Sequence, residues 1–152
     1  MSSANVLRRC SEVLLSEARK LEVDQFVGLA LGGCALAGAM SALSADTQHP
    51  ISVAMFRDRP KDHGFQGYLS CSIPTHHRVC IVDDVISTGT SALRAIVHLR
   101  TINVKVVGTM SVVRRGNDGI QRLRGSGVPA VSLIDIYDVL GAPEAKLATA
   151  DC

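Results

Sequence analysis

The segment Val79–Ser91, VCIVDDVISTGTS, constrains the fold of this 152-residue chain more than any other stretch. Val79, Cys80, Ile81 and Val82 form an unbroken apolar run rich in β-branched side chains, which predicts a buried strand over Arg78–Val82. Asp83 and Asp84 follow, then a turn made of Ser87, Thr88, Gly89, Thr90 and Ser91, and then a helical pattern to Leu99. A strand that is apolar on both faces belongs in a parallel sheet covered by helices. The unpaired N–H groups at a helix start, together with the helix dipole, attract an anion. Gly89 lets the backbone approach such a ligand. The two carboxylates can grip sugar hydroxyls or a hydrated Mg²⁺. The segment is the outline of a phosphate-sugar site.

The remaining chain supplies the partners such a strand needs. Val6, Leu7, Cys10, Val13, Leu14 and Ala18 recur at helical spacing and predict a helix over residues 5–20. Strands are expected at Phe26–Ala30, Ile51–Phe56, Val104–Val113 and Val131–Ile134, with a turn at Leu31–Cys34 and a helix at Ala35–Leu43. Residues 57–76 read as a long loop, with a short hairpin as one option, and residues 116–127 as a loop or short helix. A helical turn is expected near Asp135–Leu140 and a loose tail from Gly141. The alternation predicts one α/β domain over residues 1–152, a parallel sheet with helices on both faces and a core over about 23–140. In such sheets the ligand lies beyond the carboxyl ends of the strands.

Composition narrows the class. The chain is 47% hydrophobic but only 3% aromatic, so aliphatic side chains fill the core. A formal charge of +2 gives no footing for nucleic acid. Five cysteines without a C-x-x-C pair suggest neither a disulfide framework nor a zinc site, and point to a reducing cytoplasm. Gln25–Ala45 lacks charge and is long enough to span a bilayer, but its glycines predict strand, turn and buried helix instead.

Three further pieces bear on chemistry. FRDRPKDHG, Phe56–Gly64, clusters Arg57, Arg59, Lys61 and His63; fixed cations of this kind suit a diphosphate leaving group, although a charge run is often only a solvated loop. GLALGGCALA, Gly28–Ala37, holds the pair Gly32-Gly33 after Leu31. VVRRGN, Val112–Asn117, ends a strand on Arg114 and Arg115, either a carboxylate clamp or a basic strand end in solvent.

The acid pair with its Thr/Gly-rich turn resembles the signature of type I phosphoribosyltransferases, which transfer ribose 5-phosphate from phosphoribosyl pyrophosphate (PRPP) to a nitrogen base. The Arg followed by a Lys-Asp-His-Gly run is similar to the catalytic loop of the orotate branch. The resemblance implies a Mg²⁺-dependent transferase acting on orotate or a related pyrimidine. It implies that Asp83 and Asp84 hold ribose hydroxyls, directly or through Mg²⁺ and its water, and that Ser87, Thr88, Gly89, Thr90 and Ser91 wrap the 5′-phosphate. Arg57, Lys61 and His63 would contact pyrophosphate, with Leu31, Gly32 and Gly33 forming a second pyrophosphate loop. Asp83, Asp84, Lys61 and His63 are thereby the catalytic candidates; Arg115 and Ser87 are the base-binding ones. A homodimer sharing residues 57–75 across its interface is implied as well.

The chain departs from that pattern in three places, one of them Arg114, which stands where the family has an Asp before the base-binding Arg. The family usually has a Lys directly after the loop Arg, where this chain has Asp58. Orotate enzymes also carry a longer N-terminal hood over the base, and only about twenty residues precede the first strand here. A non-catalytic protein that binds PRPP or a nucleotide on the same fold is the alternative the last two departures favour.

Overall fold

The computed structural model describes residues 3–57 and 67–141. The chain runs α1 (Ala4–Lys20), β1 (Gln25–Leu29), α2 (Ala30–Ser44), β2 (Ser52–Phe56), β3 (Arg78–Ile86), α3 (Thr90–Thr101), β4 (Lys105–Arg114), α4 (Asp118–Gly125), β5 (Ala130–Asp135) and α5 (Ile136–Leu140). The five strands form one parallel sheet in the order β2-β1-β3-β4-β5. The expected parallel α/β fold is therefore what the chain adopts.

Strand β3 shows how the pattern makes the layers. Successive side chains point to opposite faces. Val79 and Ile81 join α3 and α4 in one core, with Ala95, Ile96, Leu99, Ile120 and Leu123. Cys80 and Val82 join α1 and α2 in the other, with Leu14, Phe26, Leu36 and Met40. Each fully buried Leu or Ile contributes about 1.5–3 kcal/mol, so these two layers dominate the stability of the described residues.

Helix α1 buries most of the face its apolar spacing predicts, with Leu7, Cys10, Leu14 and Ala18 packed in the core. Ser11, Leu14, Leu15 and Ala18 are buried, whereas Val6 and Val13 are half exposed.

Two expectations about the central region are corrected. Residues 31–34 are not a turn but the first turn of α2, and the break from β1 occurs at Ala30, whose φ is 49°. The strand predicted to end at Val82 continues to Ile86 and carries both acids within it, paired with Ser111, Val113 and Arg114 on β4. Expectations for residues 58–66, including Lys61 and His63, and for the tail from 142 lie outside the described residues. No described helix is long and apolar enough to cross a membrane; the uncharged stretch from Gln25 is a strand and a 15-residue helix.

Candidate functional site

The sheet order places a switch point between β1 and β3: α2 leaves β1 over one face, and α3 leaves β3 over the other. Their N-termini open at the same carboxyl edge, where ligands of open α/β sheets bind. The sequence candidates gather there.

Because they are consecutive strand residues, Asp83 and Asp84 point to opposite faces. Asp83 is 9% exposed and lines a cavity of about 70 Å³ with Leu29, Ala30, Phe56, Ser91 and Arg94. Its Oδ1 accepts from the Asp84 amide at 2.9 Å. Asp84 leans over the head of α2, and a Cβ on Gly32 would collide with its carboxylate. Gly33 lies against the Val82 carbonyl and the Asp83 backbone. The glycine pair thus seats the helix head on the acid pair. Leu31 stands 91% exposed at the same head.

Cys34, one turn along, donates from Sγ to the Gly28 carbonyl at 3.4 Å. Burial, and next the charge of Asp83, raise its thiol pKa. Both effects favour the protonated thiol over the thiolate.

The turn Ser87–Ser91 exposes Ser87, Thr88, Thr90 and Ser91 and buries Gly89. Gly89 has φ 73° and begins α3 with no side-chain cap. The Thr90 amide lies 3.5 Å from the Thr88 hydroxyl oxygen, and a helix head without a side-chain cap attracts an anion. The Thr88 and Thr90 hydroxyls bond each other at 2.9 Å.

Helix α4 braces this turn. A Cβ at Gly119 would strike the Ser87 carbonyl and crowd the Gly89 amide, so the two backbones touch. Arg122 donates from Nη1 to the Thr88 carbonyl at 3.2 Å. Sequence reasoning missed Gly119, Arg122 and Arg94. Arg94 was open to detection, four residues after Thr90 on the predicted helix; Arg122 lay in a segment read as loop or short helix.

Arg57 follows β2 and donates from Nη1 to the Leu69 carbonyl at 3.1 Å. The Arg57 amide reaches the Tyr68 carbonyl at 2.7 Å, and the Ser70 amide reaches Met55 at 2.9 Å. The chain thus returns beside β2 with an isolated antiparallel bridge, Phe56 to Leu69. Arg115 is exposed just beyond β4, its amide bonded to the Ile86 carbonyl at 2.8 Å. Arg114 turns away to Asp135, 3.0 Å distant.

Among the described residues no group of three or more His, Cys, Asp and Glu converges as a metal cage. Two carboxylates of hard oxygen suit Mg²⁺, which binds through one or two carboxylates plus water and substrate phosphate rather than through an all-protein shell.

This arrangement defines a class, α/β proteins with an anion-seeking helix head at a sheet's switch point. Residues 3–125 match the phosphoribosyl transferase domain. The chain is 30% identical over 122 residues to an orotate phosphoribosyltransferase of Aquifex aeolicus, covering 80% of this chain and 67% of that protein. It is 36% identical over 119 residues to one from Sorangium cellulosum, covering 77% and 62%. The chain spans about two thirds of the length of these relatives. Its fold is similar to the Mycobacterium tuberculosis H37Rv orotate phosphoribosyltransferase crystallised with Fe(III) dicitrate, at TM-score 0.79 and 25% identity, covering 91% of this chain and 77% of that one. The chain belongs to the phosphoribosyl transferase family.

Proposed function

We propose that this protein is an enzyme, a pentosyltransferase that moves ribose 5-phosphate from PRPP to orotate in pyrimidine nucleotide synthesis. The carrying observation is the Asp83-Asp84 pair at the end of β3, joined to an uncapped α3 head whose turn is braced from α4. The orotate phosphoribosyltransferases among the relatives support the acceptor.

The roles follow from position. The α3 head and the hydroxyls of Ser87–Ser91 hold the 5′-phosphate. Asp83, shielded from water, accepts from the ribose hydroxyls. Asp84, over the α2 head with Gly32 and Gly33, serves the pyrophosphate side. Mg²⁺, held by these carboxylates and the diphosphate, would neutralise charge on the leaving group. Arg57 and, by resemblance, Lys61 and His63 contact that group. No general base is required, since positioning and charge stabilisation lower an oxocarbenium-like barrier.

The working form is a cytoplasmic homodimer sharing residues 57–75, a reading supported by the family resemblance alone. Sedimentation equilibrium showing only monomer at assay concentrations refutes that part.

The deciding experiment is pyrophosphate release from PRPP and Mg²⁺ with orotate, uracil and purines, beside calorimetric PRPP binding. Release with orotate alone is expected. Tight binding without release with any base favours the non-catalytic reading, for which Asp58 in place of the usual Lys is the motivating residue. Arg115→Ala is expected to raise the KM for orotate about ten- to a hundredfold, the loss of one charge-assisted clamp, with PRPP affinity unchanged. Equal loss of both affinities refutes that role.

A further inference from the structure

Helix α3 makes a second contact with the site's surroundings that the roles above do not use. His98, two turns beyond the phosphate turn, packs its ring against Phe56 at 5.7 Å and Tyr68 at 5.0 Å between centroids, and those two rings stack at 5.6 Å with an interplanar angle of 11°. Phe56 ends the outgoing chain stem and Tyr68 opens the returning one. Phe56 directly precedes Arg57, and Tyr68 supplies the carbonyl that takes the Arg57 amide, with the guanidinium bonded to the next carbonyl, that of Leu69. The sheet-facing side of α3, with Ala95, Ile96 and Leu99, is buried in the same core that takes Phe56. The ring cluster therefore stands on a rigid support.

We propose that His98 is a positioning residue: its ring, set by α3 against the stacked pair Phe56 and Tyr68, holds the two chain stems together and so fixes Arg57 relative to the phosphate turn. This rests on the reading of Arg57 as a pyrophosphate contact. One helix would then set both ends of the PRPP site, the 5′-phosphate end through its N-terminus and the diphosphate end through His98.

The imidazole is used here as a ring. Its Nε2 is buried and accepts or donates no hydrogen bond, so a phenyl group fills the same role. A proton is what this packing tolerates badly. The described residues lining the adjoining groove are Phe56, Tyr68, Thr90, Leu93, Arg94, Val97, Thr101 and Arg122, with two cations and no acid. Burial lowers the His98 pKa. A lowered imidazole pKa favours the neutral form in the folded state. Its contribution is complete above the ordinary value of about 6.5 and is lost as pH falls through the lower folded value.

Hydrogen exchange at the Arg57 and Ser70 amides reads the stems directly. In His98→Ala both amides are expected to exchange about tenfold faster or more, as for a local opening, while β3 amides keep their protection and PRPP affinity falls by a similar factor. His98→Phe is expected to restore exchange and affinity. In the unaltered protein, protection of the two amides, corrected for intrinsic exchange, is expected to drop below pH 6.5, and in His98→Phe to stay flat.

Unchanged exchange in His98→Ala overturns the proposal. So does a His98→Phe variant that behaves like His98→Ala or keeps the acid sensitivity. If His98→Ala loosens β3 as well, the His98→Phe pH profile alone decides. Failure of the unaltered protein to bind PRPP refutes the proposed function, and the exchange measurements still decide the role of His98.

Discussion

Replacing both acids, Asp83→Asn with Asp84→Asn, is expected to lower turnover from PRPP by at least about 10³-fold while leaving the fold intact, since loss of a single preorganised polar contact already costs about 10²–10³. The site loses two negative charges and keeps its shape. The Asp83 Oδ1 accepts from the Asp84 amide and the Asp84 Oδ1 from the Val85 amide, and an Asn oxygen can accept in the same places. Ribose hydroxyls and Mg²⁺ respond instead to the charge, because bonds to an ionised acceptor are about twice as strong as neutral ones. PRPP calorimetry and thermal unfolding on the same sample check this. Undiminished PRPP affinity refutes the site assignment. Lost affinity with a collapsed unfolding temperature shows that Asp83, buried as it is, serves the fold first.

Gly119→Ala is expected to be the most damaging single-methyl change near the site. The new Cβ has no room against the Ser87 carbonyl and the Gly89 amide, and all of these are backbone atoms. No side chain can rotate away, so either α4 or the phosphate turn must shift. Overpacking of this kind costs about 1–3 kcal/mol. A displacement of about 1 Å in a positioning element costs about 10²-fold in rate. Chemical denaturation and kcat/KM measure the two effects separately. Gly125→Ala on the same helix is the control, because nothing lies within 4 Å of its added Cβ; it is expected to be neutral or stabilising by up to about 1 kcal/mol. Equal behaviour of the two variants refutes the bracing of the turn by α4.

The fold was legible where physics acts locally. Unbroken apolar runs around Phe26 and Ile81 announced strands buried on both faces, and the Thr/Gly turn announced the head of α3. Boundaries failed where tertiary contact overrode local preference. Gly32 and Gly33 read as a turn because glycine is a poor helix former, yet they sit on a helix because only a glycine fits beneath Asp84 and beside Val82. Asp83 and Asp84 read as following a strand because acids are rare in strands, yet pairing with β4 carries β3 through them. The bracing of the turn by Gly119 and Arg122 was invisible, since nothing local marks which loop a short helix will touch. The ring cluster was equally hidden: Phe56, Tyr68 and His98 lie far apart along the chain and meet only when the stems close on α3.

The opposite headings of Asp83 and Asp84 have an engineering consequence. One side of strand β3 looks toward α3 and the other toward α2, and Arg115 stands beyond the neighbouring strand β4. The proposed roles place donor handling and the Arg115 acceptor contact at separate addresses in the chain. A library confined to the few residues after β4 can search for new acceptors while the donor half is inherited unchanged. Random mutation of the glycines at the two helix heads would only erase the template on which that search depends.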